Sequence, residues 1–249
     1  MSQQTPTSPA PRDWLLLICG STYKFTLTGF YLVALVAILK NHGYSLNQLS
    51  WIHLIGGIEA AKVLFAALME RRPAGRFGRF RGWLLAATLG LSAVFGLMAC
   101  TDITQNFPLL LACCVLLSAM SAVYGCAMLG LSCIVLPHRE RGFGGVIQTM
   151  AARGGKMIGG ALVLWLYQEY GQTAAAGFML AFSLLMLLQL LCYREPESLT
   201  AQGGLTALAA RLVSFWRRPE TGWRWLVLLF AVAAPYAFAA ATFVPKLAD

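Results

Sequence analysis

Five ionisable residues, Lys24, Glu59, Lys62, Arg153 and Lys156, lie inside long apolar stretches of this chain, several residues from the nearest point where a bilayer surface can fall. A charge at bilayer depth costs from about 3 to more than 10 kcal/mol by different estimates, so such residues face a partner or a wet cavity. The sequence is 58% hydrophobic and only 12% charged, against about 25% charged for a soluble globular domain. A water-soluble fold of 249 residues has too little interior to hide this much apolar side chain. Lipid must solvate most of it, and the fold class that follows is all-α, polytopic and membrane-embedded. Four of the five embedded groups are basic, which points to a polar interior path that prefers anions.

A spanning helix needs about 20 mostly apolar residues. Seven segments qualify, near 14–39, 49–69, 83–101, 108–136, 145–167, 174–193 and 223–244. Of the 19 Lys and Arg residues, 13 fall in alternate loops on one side: Arg12, the group from Arg71 to Arg81, Arg139 and Arg141, and the group from Arg194 to Arg224. Only Lys40 and Lys246 fall on the other side. The positive-inside rule makes the first side cytoplasmic, with the N-terminus inside and the C-terminus outside a bacterial inner membrane. The domain reading is a disordered N-terminal arm over 1–13 and a six-helix half-bundle over 14–193. A cytoplasmic connector with an amphipathic helix follows over 194–222, then a seventh span and short external tail over 223–249.

The net charge of +9 does not indicate nucleic acid, because the basic residues sit in short loops and no basic helix with interleaved aromatics stands apart. The seven cysteines fall in or at the ends of apolar runs, without CxxC spacing or a nearby histidine, and read as small apolar side chains rather than metal ligands or disulfides. No Ser/His/Asp arrangement, Walker loop or acidic metal cluster is present. The expectation is no enzyme, no metal and no cofactor.

Glu59 and Lys62 are three residues apart and share a helix face, and Arg153 and Lys156 repeat that spacing. With Lys24 they carry a surplus of positive charge, which suits an anionic substrate. The plainer alternative is that Glu59 neutralises one cation and the group fixes helix packing, with Lys24 snorkelling to the inner surface. Tyr124, with Tyr23 and Tyr31, is a further candidate for hydrogen-bonding substrate, although aromatics in spans more often pack.

The layout of six spans, a long connector and a seventh suits carriers built from six-span halves, each a 3+3 inverted repeat. The loop Ala67-Leu-Met-Glu-Arg-Arg-Pro-Ala-Gly-Arg-Phe-Gly-Arg-Phe-Arg81 resembles the motif between spans 2 and 3 of the major facilitator superfamily. That resemblance implies a gating role for Glu70, Arg71 and Arg79. The stretches Gly29–Lys40, Gly43–Gln48 and Pro137–Gly145, with Lys62, Gly154, Gly159 and Gly160, are similar to the branch of muropeptide permeases, acetyl-CoA transporters and pyochelin- and rhizobactin-type siderophore importers. The branch often carries acidic residues in span 4, whereas Ser118–Ala127 has none. The superfamily has 12 spans, and this sequence reads as the N-terminal six-helix half plus span 7, a carrier cut short.

The expected function is alternating-access transport of a small anionic or zwitterionic solute, such as a siderophore or a peptide-like compound. The rival expectation is a non-transporting remnant, or a half-carrier that needs a partner for the missing helices. The expected partners are the lipid bilayer, the solute, and either a second copy or a C-terminal half-carrier.

Overall fold

The structure is a computed structural model. It describes residues 9–44, 62, 65, 66, 69, 78, 80–101, 107–195, 214, 224, 227, 228, 230 and 231. The chain divides into two compact units, Met1–Thr200 and Ala201–Asp249. The described residues of the second unit have helical backbone. The expected connector helix and seventh span otherwise lie outside the described residues, as does most of the expected span 49–69.

Among the described residues of the first unit every regular element is helical. Helix α1, Pro11–Asn41, has 31 residues, with a π-helical turn at Phe30–Ala34. Helices α2, Arg81–Cys100, and α3, Phe107–Val135, follow. Helix α4, Arg141–Met157, runs through a second π-helical turn, Ile158–Leu162, into α5, Val163–Cys192. Each of α1, α2, α3 and the combined α4–α5 run is long and apolar enough to cross a membrane.

The α4–α5 run has 52 residues, about 78 Å at 1.5 Å per residue, more than twice the roughly 30 Å hydrocarbon core. It reverses at one residue, Gly171, whose φ of 82° is open to glycine and strained for other residues. Side-chain contacts establish the reversal. On the near side of Gly171, Gly155 lies at Thr22 to Thr26 of α1, Gly160 at Val33, and Tyr167 bonds His42, so this stretch runs parallel to α1. Beyond it, Ser183 bonds Tyr23 and Tyr193 sits beside Asp13, so this stretch runs antiparallel. The expected loop Gln168–Thr173 is therefore helix on both sides of a single-residue turn.

The same reasoning orients the other helices. Gly20 meets Met128 and Tyr44 stacks on Phe107, so α3 is antiparallel to α1. Phe80 lies at Gly130 and Met120 at Gly90, so α2 is antiparallel to α3. Tyr44 and Gly78 are thus at opposite ends of the bundle. One end gathers Arg12, Arg81, Arg141 and Arg194, as the loop charges predict.

Helix ends are capped by residues distant in sequence. At the basic end the Glu195 carboxylate accepts the N–H groups of Phe80 and Arg81, at 3.1 and 2.9 Å, at the start of α2. The Arg81 guanidinium returns 2.9 Å bonds to the Leu190 and Leu191 carbonyls at the end of α5. Each charge complements the helix dipole it meets. At the other end the Gln172 amide donates to the carbonyls of Met98, at 2.9 Å, and Thr101, at 2.8 Å. Helix α1 starts at Pro11, which suits a first helical position, and Asp13 accepts the Ala10 N–H at 2.9 Å.

Leu15, Ile18, Leu89, Leu129, Leu184 and Leu188 point outward, as lipid-facing residues do when association is driven by packing rather than by water. Buried hydroxyls bond within their own helices: Thr26 to the Thr22 carbonyl, Thr88 to Leu84 and Ser92 to Thr88. In lipid this satisfies groups that would otherwise be orphaned.

Candidate functional site

The crossing of α1 with α4 sets the site. A Cβ at Gly155 would lie 2.7 Å from the Thr22 carbonyl oxygen and 2.8 Å from Phe25 Cβ. At Gly159 it would overlap the Thr26 carbonyl oxygen, and at Gly29 it would lie 2.9 Å from Lys156 Cα. These are backbone-to-backbone contacts that only glycine allows, the small-residue packing used between membrane helices. The two π-helical turns lie against each other at this crossing, and such turns recur at functional sites.

Lys24 is on the α1 side of this crossing, about 20 Å along a helix of about 46 Å, and is half-buried. Its ammonium lies 4.4 Å from the Phe25 ring centroid. Gly155 on α4 and Gly159 in the π-helical turn after it face α1, while Arg153 and Lys156 are exposed. Lys62 is half-buried, and its carbonyl accepts the Cys126 thiol of α3 at 3.3 Å. The neighbouring Gly125 lies against the Lys24 side chain. Lys24 and the Lys62 backbone therefore meet the same turn of α3, while Arg153 and Lys156 lie near that level on an exposed face of α4.

Tyr124 is fully buried and packs edge-to-face on Tyr23, with ring centroids 5.3 Å apart. Phe182 closes the other side of Tyr23, and the Tyr23 hydroxyl shares a 2.5 Å bond with Ser183. The Tyr124 hydroxyl has no hydrogen-bond partner among the described residues. The helix turns Tyr124 toward the space left by Gly20, so it is enclosed between helices rather than presented beside the cations. Tyr31 is buried as well. Glu59, Glu70, Arg71 and Arg79 lie outside the described residues. The residues that sequence reasoning missed are Glu195, Gln172 and Gly125. Glu195 had one available signal, as a carboxylate just past a span in a basic loop.

Helices of this length with outward leucines define a polytopic membrane protein. The sequence model of the Major Facilitator Superfamily matches residues 16–249, and the chain belongs to that family. Among curated proteins it is similar to the anhydromuropeptide permeases of Escherichia coli K12 and of Escherichia coli O157:H7. Each is 29% identical over 227 residues, covering 89% of this chain and 45% of the permease. The chain thus spans about half the length of the curated relatives it matches, and those relatives are named as permeases, not enzymes.

Proposed function

We propose that this chain serves secondary transport of a small anionic or zwitterionic solute across a bacterial inner membrane by alternating access. Residues 14–193 form a six-span half, residues 194–222 a cytoplasmic connector and residues 223–249 a seventh span. The reading rests on one observation above the rest: Lys24, Lys62, Arg153 and Lys156 gather around one level midway along the helices. Sustaining such a cluster at that depth is costly unless a wet path or an anionic ligand meets it. Membership of the superfamily supports a carrier, and the permease relatives favour a peptide-like solute of the muropeptide kind over a siderophore. In sequence Glu59 stands three residues before Lys62, a spacing that suits tempering of the positive charge. Glu70, Arg71 and Arg79 gate the basic end, which is the cytoplasmic one.

Uptake of a labelled anhydromuropeptide into cells expressing the chain tests this, with a pyochelin-type siderophore as competitor. Lys62→Ala and Lys156→Ala are each expected to cut uptake about tenfold or more, as removal of a binding charge does, while membrane levels stay unchanged. Wild-type uptake in both variants would make the charges structural. Inhibition by the siderophore alone would move the substrate class.

A further inference from the structure

Gly125 lies inside α3, where glycine is the poorest helix former after proline. The other glycines of the basic level are explained by backbone contact: a Cβ at Gly29, Gly155 or Gly159 would strike the main chain of the facing helix. Gly125 is different. The three atoms nearest to a Cβ there all belong to the Lys24 side chain, Cε at 3.1 Å, Cδ at 3.7 Å and Cγ at 3.8 Å. The stem of Lys24 lies along the bare backbone of α3. The next residue, Cys126, bonds the Lys62 carbonyl at 3.3 Å, so Lys24 and Lys62 flank the same turn of α3. On its other side the Lys24 ammonium meets the Phe25 ring, whose Cβ packs at Gly155.

We infer that Gly125 is a positioning residue, a seat along which the Lys24 stem lies so that its ammonium is held at the turn of α3 that meets the Lys62 backbone, where it receives a carboxylate of the transported solute. The inference rests on the transport reading and deepens it, by naming the group recognised and the backbone position that aligns its receptor. A methyl group at 125 leaves room for Lys24 only if the stem shifts by a few tenths of an ångström, which its flexibility allows. A leucine fills the seat and expels the stem.

The test uses the full chain in membranes, with a labelled anhydromuropeptide as probe. Gly125→Ala is expected to raise the KM for uptake about fivefold with kcat within about twofold, the pattern of lost uniform binding. Gly125→Leu should match Lys24→Ala. In the Lys24→Ala background Gly125→Ala should add nothing, since the two changes remove the same interaction. A ligand-free readout accompanies this: the rate at which a water-soluble amine-reactive reagent acylates Lys24, followed by mass spectrometry, with Lys156 as internal reference. That rate should change severalfold in Gly125→Leu, and Lys156 should not respond. Equal losses from Gly125→Ala with and without Lys24 would overturn the seat and mark Gly125 as a packing residue. So would unchanged Lys24 labelling in Gly125→Leu. Altered labelling together with normal uptake by Lys24→Ala would uphold the seat and refute anion binding by Lys24, so the two failures are distinguishable.

Discussion

Gly159→Ala tests the packing that holds the basic level together. The added Cβ would overlap the Thr26 carbonyl oxygen and lie 2.7 Å from the Thr26 carbonyl carbon and 3.0 Å from the Phe30 nitrogen. Ordinary carbon contacts are about 3.5–4.0 Å, so α1 and the start of the π-helical turn must part by roughly 1 Å, a gap that forfeits up to about half of each contact's attraction. Overpacking typically costs about 1–3 kcal/mol, and with backbone on both sides the upper end applies. Alanine returns about 1 kcal/mol of helix propensity, leaving a net loss of about 2 kcal/mol, or roughly a 30-fold fall in the folded-to-unfolded ratio. Gly154→Ala is the matched control, because nothing lies within 4 Å of a Cβ there. It gains propensity without a clash, so the two variants should differ by about 3 kcal/mol. Reversible unfolding in mixed detergent, followed by tryptophan fluorescence, measures the difference. Equal stabilities for Gly159→Ala and Gly154→Ala would refute the claim that α1 and α4 touch backbone to backbone here.

Glu195→Ala should destabilise by about 1–2 kcal/mol, because it uncaps the Phe80 and Arg81 N–H groups. Glu195→Gln, which keeps an acceptor and loses the charge, should fall between, and equal losses for both would assign the effect to charge alone. Gln172→Ala should cost about 1 kcal/mol by freeing the Met98 and Thr101 carbonyls; hydrogen exchange at the end of α2 reads it, and unchanged protection would show that the cap is dispensable. Cysteines introduced at Arg76 and Glu197 should react with an impermeant thiol reagent only from the cytoplasm, and one at Asp102 only from outside. Labelling of Asp102→Cys from within would reverse the orientation.

Composition made the all-helical membrane class legible, because apolar runs of spanning length admit few other solutions. Loop charge also foretold which helix ends share a side. The turn at Gly171 was less legible: Gln168–Thr173 is polar enough to read as a loop, and one left-handed glycine suffices there because Gln172 secures the chain to α2. Glu195 and Arg81 are 114 residues apart in sequence, so their reciprocal capping has no local pattern. Gly125 was hidden for the same reason. It fell in a stretch notable for lacking acids, and its meaning comes from a lysine on another helix.

Glycine and positive charge occur together on α4 for a physical reason. Arg153, Gly154, Gly155 and Lys156 are consecutive, yet Gly155 is buried against α1 while Arg153 and Lys156 are exposed. A helix pinned by backbone contact on one face has a fixed rotation and height, so the backbone sets where the charges on its other faces sit. A conventional salt bridge would position the cations equally well but would neutralise them. Close glycine packing positions a cation without itself neutralising it. On this argument Gly159→Ala should weaken anion uptake along with stability, by shifting Arg153 and Lys156 from the level of Lys24 and Lys62. The separation is testable: a stabilising substitution elsewhere that restores the unfolding midpoint should not restore KM. Full recovery of KM with stability would show that the glycines serve the fold alone.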